Sequence, residues 1–478
     1  MVKLVLTAME KTGSEAWPPL GLAYIASYLK KYLDFNNIII VNKEKDPIRK
    51  ILEQKPDIIG ISAVTDEFPH AVALAKELKQ KTDAQIWIGG HHISLLPKTL
   101  PDVFDLAVLY EGEETVLELM KLALAGKRLN ATNLKNIKGI AYHDNGNVVV
   151  NERRELIKPI DKIPYPNRDL FKMEEDYLTP RRSYSIDKLT RATHMFTSRG
   201  CPYACVFCSS AMFWKRMIRF HSTDYVIGEI NELINKYKVE AIMICDDLFA
   251  SNKERLRDIV ERIEKEGINK KVFFRIITRV DMIDEETCQL FKRMNAQDVT
   301  MGFESGSDKT LAYLKNNTTT VAQNQKAIDL CKKYDIGIHG YFMIGSPGET
   351  KEDMMLTYNF IKNNPIKSAV ISVVTPYPGT PLWDFAKSKG MISDDMDWSL
   401  LNLHAEDPRF PLMTDTMPKE EFIEIYKMFT KLVESKTYNL KLKPKHLLSI
   451  KLWKRAIKSP RKTARYIYNI IKRKVRSN

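Results

Sequence analysis

The sequence predicts an α/β chain of two bodies. A doubly wound parallel sheet spans residues 1–130 and a partial (β/α)6 barrel spans 191–400. A hairpin and linker (131–190) joins them, and a helical, basic tail (401–478) follows. Three observations carry this. Short apolar runs alternate with helically spaced segments through roughly the first 125 residues, the same rhythm resumes near Thr193, and the charge collects at one end. Residues 431–478 hold sixteen Lys and Arg against one acid, Glu434, so a local net of +15 accounts for the whole-chain +14 and leaves the first 430 residues close to neutral.

In the first body, residues 2–7 read as a strand, 20–32 as an amphipathic helix and 38–41 as a second strand. Residues 57–62 (D-I-I-G-I-S) are nearly all apolar, as a parallel strand buried on both faces requires. Residues 70–80 carry Ala71, Leu74, Ala75 and Leu78 at helical spacing, 86–90 and 106–109 are strands, and 113–124 closes a flavodoxin-like, doubly wound unit. Ligands on such sheets sit at the carboxyl ends of the strands. Those ends read S-A-V-T (with Ser62 and Thr65), G-G-H-H (Gly89, Gly90, His91, His92) and E-G-E-E (with Glu111 and Gly112). Residues 139–152 form a hairpin around Asn145-Gly146, and the proline-broken stretch 163–171 is a connector.

Residues 198–208 read S-R-G-C-P-Y-A-C-V-F-C. Cys201, Cys205 and Cys208 have a C-x3-C-x2-C spacing, and a loop this short turns three thiolates toward one point, as an iron–sulfur cube needs. Four irons against three cysteines leave one iron without a protein ligand, and an open position marks a site of chemistry rather than of structure. The alternative, a structural zinc knot, needs a fourth ligand, for which His194 and His221 are the nearby candidates. The other cysteines, Cys245, Cys288 and Cys331, are scattered singly, which is no disulfide framework and suits a reducing cytoplasm. No run approaches eighteen apolar residues, so no spanning helix is expected, and residues 1–8 read as a first strand rather than a signal peptide.

After the cysteine loop, helices are expected at 223–236, 253–267, 285–294, 321–334 and 352–363. They alternate with strands at 241–245, 272–277, 298–303, 337–344 and 369–374, and functional residues belong at the strand ends. Arg275, His339 and Tyr341 face inward by strand alternation and are the candidate catalytic or substrate contacts. Trp383 and Trp398 stand in a proline-rich stretch (365–418) available to cover the barrel mouth. Residues 419–434 form an amphipathic helix. The basic tail beyond it, with Leu, Ile, Trp and Tyr interleaved, reads as a membrane-surface or acidic-partner segment, or as a solvated face.

The cysteine motif, with Phe207 before its last cysteine and Arg199-Gly200 before its first, resembles that of the radical S-adenosylmethionine enzymes. The resemblance implies a [4Fe–4S] cluster whose open iron binds the amino and carboxylate groups of S-adenosylmethionine and whose electron yields a 5′-deoxyadenosyl radical. Position by position it implies S-adenosylmethionine contacts from Phe207, from Asp246 and Asp247 (methionine moiety), from Glu304 and Ser305 of G-F-E-S (ribose), and from 344–349 with Ile344, Gly345 and Glu349 (adenine). The other reading of Asp246 and Asp247 is a helix N-cap pair. The first body resembles the cobalamin-binding domain that precedes many such barrels, with Ser62, Thr65, Gly89, Gly90, His91, His92, Glu111 and Gly112 as contacts. A ligand-free flavodoxin-like scaffold is the other reading. The D-x-H-x-x-G loop of cobalamin mutases is absent, so no histidine is expected beneath the cobalt.

The resemblance implies a cobalamin-dependent methyltransferase acting on an unactivated carbon. A cyclase or C–C bond-forming oxidoreductase of the same two-domain type is the second reading, and a non-enzymatic cobalamin or iron–sulfur sensor the third. The expected partners are a small-molecule or lipid-like substrate and a flavodoxin- or ferredoxin-type reductant. Localisation is expected to be cytoplasmic, with peripheral membrane contact through the tail. Nucleic acid is not expected, because no RNA-binding module accompanies the charge.

Overall fold

The computed structural model describes residues 2–9, 17–127, 129–178, 190–404, 407 and 409–438. Strands β1 (Leu4–Ala8), β2 (Ile38–Ile40), β3 (Ile58–Ser62), β4 (Gln85–Gly89) and β5 (Leu106–Val108) pair in parallel in the order β2-β1-β3-β4-β5. Alternate side chains of β1 enter different layers. Leu4 and Leu6 pack with Leu22, Leu29 and Leu119 of helices α1 (Leu20–Leu33) and, past α2 (Pro47–Glu53), α3 (Phe68–Lys79) and α4 (His91–Leu95), α5 (Gly112–Leu124). Val5 packs with Ala71 and Leu74 of α3 on the other face. This two-sided burial is why the strands read as apolar runs.

The hairpin expected in the linker belongs to this sheet. After the short α6 (Ala131–Leu134), β6 (Ile140–Asp144) pairs antiparallel with β5, and β7 (Asn147–Val150) with β6. β5 has only three residues, all buried, and without β6 its outer edge would present unpaired backbone groups. The connector is equally well fastened. Arg168, fully buried, donates to the His194 carbonyl (3.0 Å) and to Glu229 (2.6 Å).

The second sheet holds six parallel strands in the order β15-β14-β13-β12-β11-β8: β8 (Ala192–Met195), β11 (Ala241–Ile244), β12 (Phe273–Thr278), β13 (Ala296–Glu304), β14 (Gly337–Ile344) and β15 (Ser368–Val373). Two short antiparallel strands, β9 (Ser198–Arg199) and β10 (Arg219–Phe220), frame the cysteine loop and α7 (Ser210–Phe213). The helices α8 (Thr223–Asn235), α9 (Lys253–Lys265), α10 (Glu285–Arg293), α11 (Asp308–Leu314), α12 (Val321–Lys333) and α13 (Lys351–Asn363) start where the sequence supplies caps. Asn252 accepts from the Arg255 amide, and Thr320 with Gln323 and Thr350 with Asp353 close capping boxes. β12 alternates cleanly: Phe274 and Ile276 join the outer core, while Phe273 and Ile277 pack inward with Met243 and Trp17.

Helix α14 (Pro381–Ser388) and α15 (Lys419–Tyr438) as far as Val433, with Phe422 and Phe429 in the core, complete this unit, Met1–Val433. Trp383 and Trp398 do not cover an open mouth. They are buried and stacked 5.9 Å apart, and Trp398 packs edge-on against His92 (4.7 Å). The apolar stretch expected beyond residue 438 lies outside the described residues. No described helix is long and apolar enough to cross a membrane.

Candidate active site

The carboxyl ends of the first sheet and the cysteine-loop side of the second sheet share one cavity of about 470 Å3. Leu4, Leu6, Leu22, Trp87 and Val108 make an apolar trough, and Ser62, Gly89, Gly90, His91, Glu111 and Gly112 line it at the strand ends. Ser198, Arg199, Gly200, Phe213, Trp214, Cys245 and Asp247 line it from the second sheet. Gly90 has φ +107°, and a Cβ there would run into the Ala63 backbone, so the turn is available to glycine alone. A Cβ at Gly21 would meet nothing within 4 Å and would project into the trough. Apolar walls with a rim of hydroxyl and bare backbone fit an amphipathic macrocycle fringed with amides, the chemistry of cobalamin.

Two of the expected contacts lie elsewhere. Thr65 is buried, and its carbonyl accepts from the Phe68 amide where α3 begins. His92 turns away from the cavity into the core, with both ring nitrogens unbonded and its ring 4.0 Å from Phe68. Burial there pushes its pKa down to about 3. Successive side chains of a helix point about 100° apart, and of this pair only His91 reaches the cavity, its ring stacked on Phe213 at 4.5 Å. Most of the first-strand loop, residues 10–16, lies outside the described residues.

Glu111 lines the cavity but acts as a clamp. Its carboxylate accepts from Arg199 (2.9 Å), from both terminal nitrogens of Arg219 (2.9 Å each) and from the Ile157 amide (3.1 Å). Arg199 also bonds Glu113 (2.7 Å). Two carboxylates that open α5 thus hold two guanidiniums that flank the cysteine loop. The sequence showed the Arg199-Gly200 step but not its acid partners, which lie 86 and 88 residues away.

Each sulfur of the loop has its own donor. Cys201 receives the Tyr203 amide, Cys208 the Ser210 amide, and Cys205 the Arg279 guanidinium at 3.6 Å. Burial raises the Cys201 thiol to about 11 and the Cys208 thiol to about 12, so a cationic group is needed to hold them as thiolates. Three donors aimed at three sulfurs fit an anionic thiolate set around a cluster. Neither His194 nor His221 joins them. His194 stacks edge-on to Trp17 (4.7 Å), and His221 bonds Asp161 (2.8 Å). Among the described residues no three His, Cys, Asp or Glu side chains are placed together to hold a metal ion, and the thiols of Cys201, Cys205 and Cys208 are likewise not gathered on one point. The loop is pinned by Val206, whose amide donates to Leu314 and whose carbonyl accepts from Leu382.

The remaining expected residues separate into open and structural. Asp247 is open to the cavity and accepts from Ser210 (2.7 Å). Asp246 is buried and accepts from the Thr197 amide and hydroxyl and from Ser198 (2.7 Å), and burial holds its carboxyl above the usual range. Neither caps α9, whose cap is Asn252. Glu304, at φ +60°, pairs with Lys315 (2.8 Å), whose ammonium stands 5.9 Å from the Phe207 ring. Ser305 bonds Thr357 (3.0 Å), and Ile344 is core. Glu349 accepts from the Gly345 and Ser346 amides (2.7 and 2.9 Å), and burial raises its pKa to about 8. Inside the barrel, Tyr341 is 42% exposed and lies near Arg275, which donates to Thr300 (3.3 Å). His339 is bonded to Ser368 and lies 3.6 Å from Asp298 near the amino ends of the strands, away from the cysteine loop.

The Radical SAM superfamily model matches residues 195–361, and the B12 binding domain model matches 9–120. An uncharacterized methyltransferase of Pyrococcus horikoshii is 33% identical, over 82% of this chain and 83% of its own length. An anaerobic magnesium-protoporphyrin IX monomethyl ester cyclase of Cereibacter sphaeroides is 28% identical, over 79% of this chain and 62% of its own. Among solved structures, the radical S-adenosylmethionine methyltransferase TsrM from Kitasatospora setae, with cobalamin and [4Fe-4S] cluster bound, superposes with a TM-score of 0.65 at 17% identity, covering 82% of this chain and 76% of that one.

Proposed function

Because this chain belongs to the radical S-adenosylmethionine superfamily and carries a B12 binding domain ahead of its barrel, we propose that it is a cobalamin-dependent methyltransferase acting on an unactivated carbon. When bound, the cluster with S-adenosylmethionine supplies one-electron cleavage chemistry, and cobalamin supplies the methyl group. The observation that carries the proposal is the shared cavity, in which the apolar trough of the first sheet meets Ser198, Arg199 and Gly200, the residues that lead into Cys201, together with Asp247. Cys201, Cys205 and Cys208 hold the cluster, and Tyr203, Ser210 and Arg279 donate to their sulfurs. Ser62, Gly89, Gly90, His91 and Gly112 bind the macrocycle, and Asp247 and Glu304 stand for S-adenosylmethionine. Tyr341 and Arg275 meet the substrate in the lumen.

Reductant and S-adenosylmethionine supplied to the anaerobic enzyme test this reading. Methyl transfer leaves S-adenosylhomocysteine, and C–H activation leaves 5′-deoxyadenosine, so both products are expected. Deoxyadenosine without S-adenosylhomocysteine would favour ring closure, the reaction named for the cyclase relative. Neither product would leave only a sensor. The basic tail supports reversible contact with anionic membrane, each basic residue contributing about 1 kcal/mol near such a surface. Full-length protein should float with anionic vesicles at low salt, and a chain ending at Glu434 should not. Equal flotation refutes the membrane role.

A further inference from the structure

We propose that the rim beside Cys201 is the docking surface for an acidic one-electron carrier of the flavodoxin or ferredoxin kind. The inference rests on the cluster assignment above and adds to it the place where the electron arrives.

The rim is contiguous by direct contact. Arg216 donates to the Pro202 carbonyl (3.3 Å), next to Cys201 in the chain. A Cβ at Gly200, on the other side of Cys201, would run into the Met217 carbonyl. Lys158 reaches the Met217 sulfur (3.7 Å), Lys215 reaches Glu155 (3.2 Å), and Arg153 donates to the Met212 carbonyl (3.0 Å). The linker segment 153–158 and the turn 212–217 therefore form one surface around the residues that flank the first cluster ligand.

Its chemistry is specific. Lys158, Lys215 and Arg216 are exposed here and Arg153 lies half-buried over the Tyr110 ring (3.5 Å), while Glu155, 81% exposed, pairs with Lys215 and Glu152 with Lys138 (2.9 Å). This charge is local, because the chain up to residue 430 is close to neutral. Met212, whose carbonyl accepts from Arg153, stands 52% exposed, an apolar contact beside these charges. Lys215 and Arg216 also occupy consecutive left-handed positions, at φ +51° and +53°. A non-glycine residue is strained there by its Cβ, and a turn free of other demands would use glycine. Two exposed basic side chains kept at that cost point to a role for the side chains themselves.

One electron passes from the carrier to the cluster. The carrier is oxidised by one equivalent, the cluster is reduced by one, and no bond is made or broken. Small, charged, transient interfaces are the norm for such encounters, and complementary charge raises association chiefly at low ionic strength.

The test titrates an acidic bacterial flavodoxin into the cluster-loaded, full-length protein by calorimetry and follows cluster reduction in stopped flow. The triple variant Lys158→Glu, Lys215→Glu, Arg216→Glu should bind flavodoxin at least tenfold more weakly at low salt, and the difference should vanish at high salt. It should be reduced by dithionite at the wild-type rate. Glu155→Lys should bind more tightly. Unchanged flavodoxin binding in the triple variant overturns the proposal. So does loss of binding to anionic phospholipid vesicles with flavodoxin kinetics intact, which would make the rim a membrane contact. If dithionite reduction also fails, the cluster loop has been disturbed, and the neutral set Lys158→Gln, Lys215→Gln, Arg216→Gln decides. Weakened flavodoxin binding in that set upholds the surface, and wild-type binding rejects it.

Discussion

Glu111→Gln should destabilise the protein far more than the loss of an ordinary surface ion pair would. The carboxylate accepts four hydrogen bonds of 2.9 to 3.1 Å, and the side chains of Glu111, Glu113, Arg199 and Arg219 are all between 5 and 12% exposed. The desolvation of four charges offsets most of their attraction, so the intact cluster contributes little net stability. Removing one partner is different. Arg219 has no other carboxylate among its described bonds, and a buried charge left unpaired costs about 3–5 kcal/mol. Arg219→Met should cost less, because Glu111 keeps Arg199. The double variant should fall short of the sum of the singles by about 1–3 kcal/mol. Urea unfolding followed by tryptophan fluorescence reads this, with Trp214 5.4 Å from the Arg219 guanidinium. Strict additivity would refute the clamp. Burial raises the Glu111 pKa, but Arg199 and Arg219 outweigh it and hold the folded value below the ordinary 4.5. The stabilisation is therefore full above 4.5 and is lost as pH falls through the lower folded value, a dependence that Glu111→Gln should abolish.

Gly21→Leu should separate binding from stability. It fills open trough space and improves helix propensity by up to about 0.8 kcal/mol, so hydroxocobalamin binding should weaken more than tenfold while the urea midpoint holds or rises. Tight binding in that variant would move the ligand out of the trough. Glu349→Gln should flatten the pH dependence of unfolding. The raised folded pKa of about 8 gives a contribution that is full below 4.5 and lost as pH rises through 8, so wild type should weaken across that window and the variant should not. Parallel curves for the two proteins would show that Glu349 does not titrate there.

Both sheets and the three cysteines were legible because their signals are local. Apolar runs mark β3 and β12, and eleven contiguous residues carry the cysteine motif. What escaped depends on pairing across long separations. The hairpin looked like a linker because nothing within residues 139–152 says that β5 lacks a neighbour. Asp246 and Asp247 looked equivalent, but one step along the chain turns the first under Thr197 and leaves the second in the cavity. His91 and His92 diverge for the same reason. Glu304, Ser305 and Glu349 lie in motifs that the sequence displays, but the partners of the first two, Lys315 and Thr357, are distant in the chain and could not be read from it. Arg279, unassigned from sequence, donates to Cys205 because the turn after β12 brings it there.

The cysteine loop has almost no regular structure of its own, and its position is therefore set by its attachments. Val206 ties it to Leu314 and to Leu382, Asp246 holds Thr197 and Ser198 just ahead of it, and Glu111 and Glu113 hold Arg199. Two of these attachments arise in the second sheet and its helices, and the third arises in the first sheet at the edge of the trough. The distance between cluster site and trough is thus fixed by the same carboxylates that begin α5. A substitution that loosens the clamp should disturb the relation between the two sites before it empties either one. That order of failure distinguishes a positioning contact from a ligand.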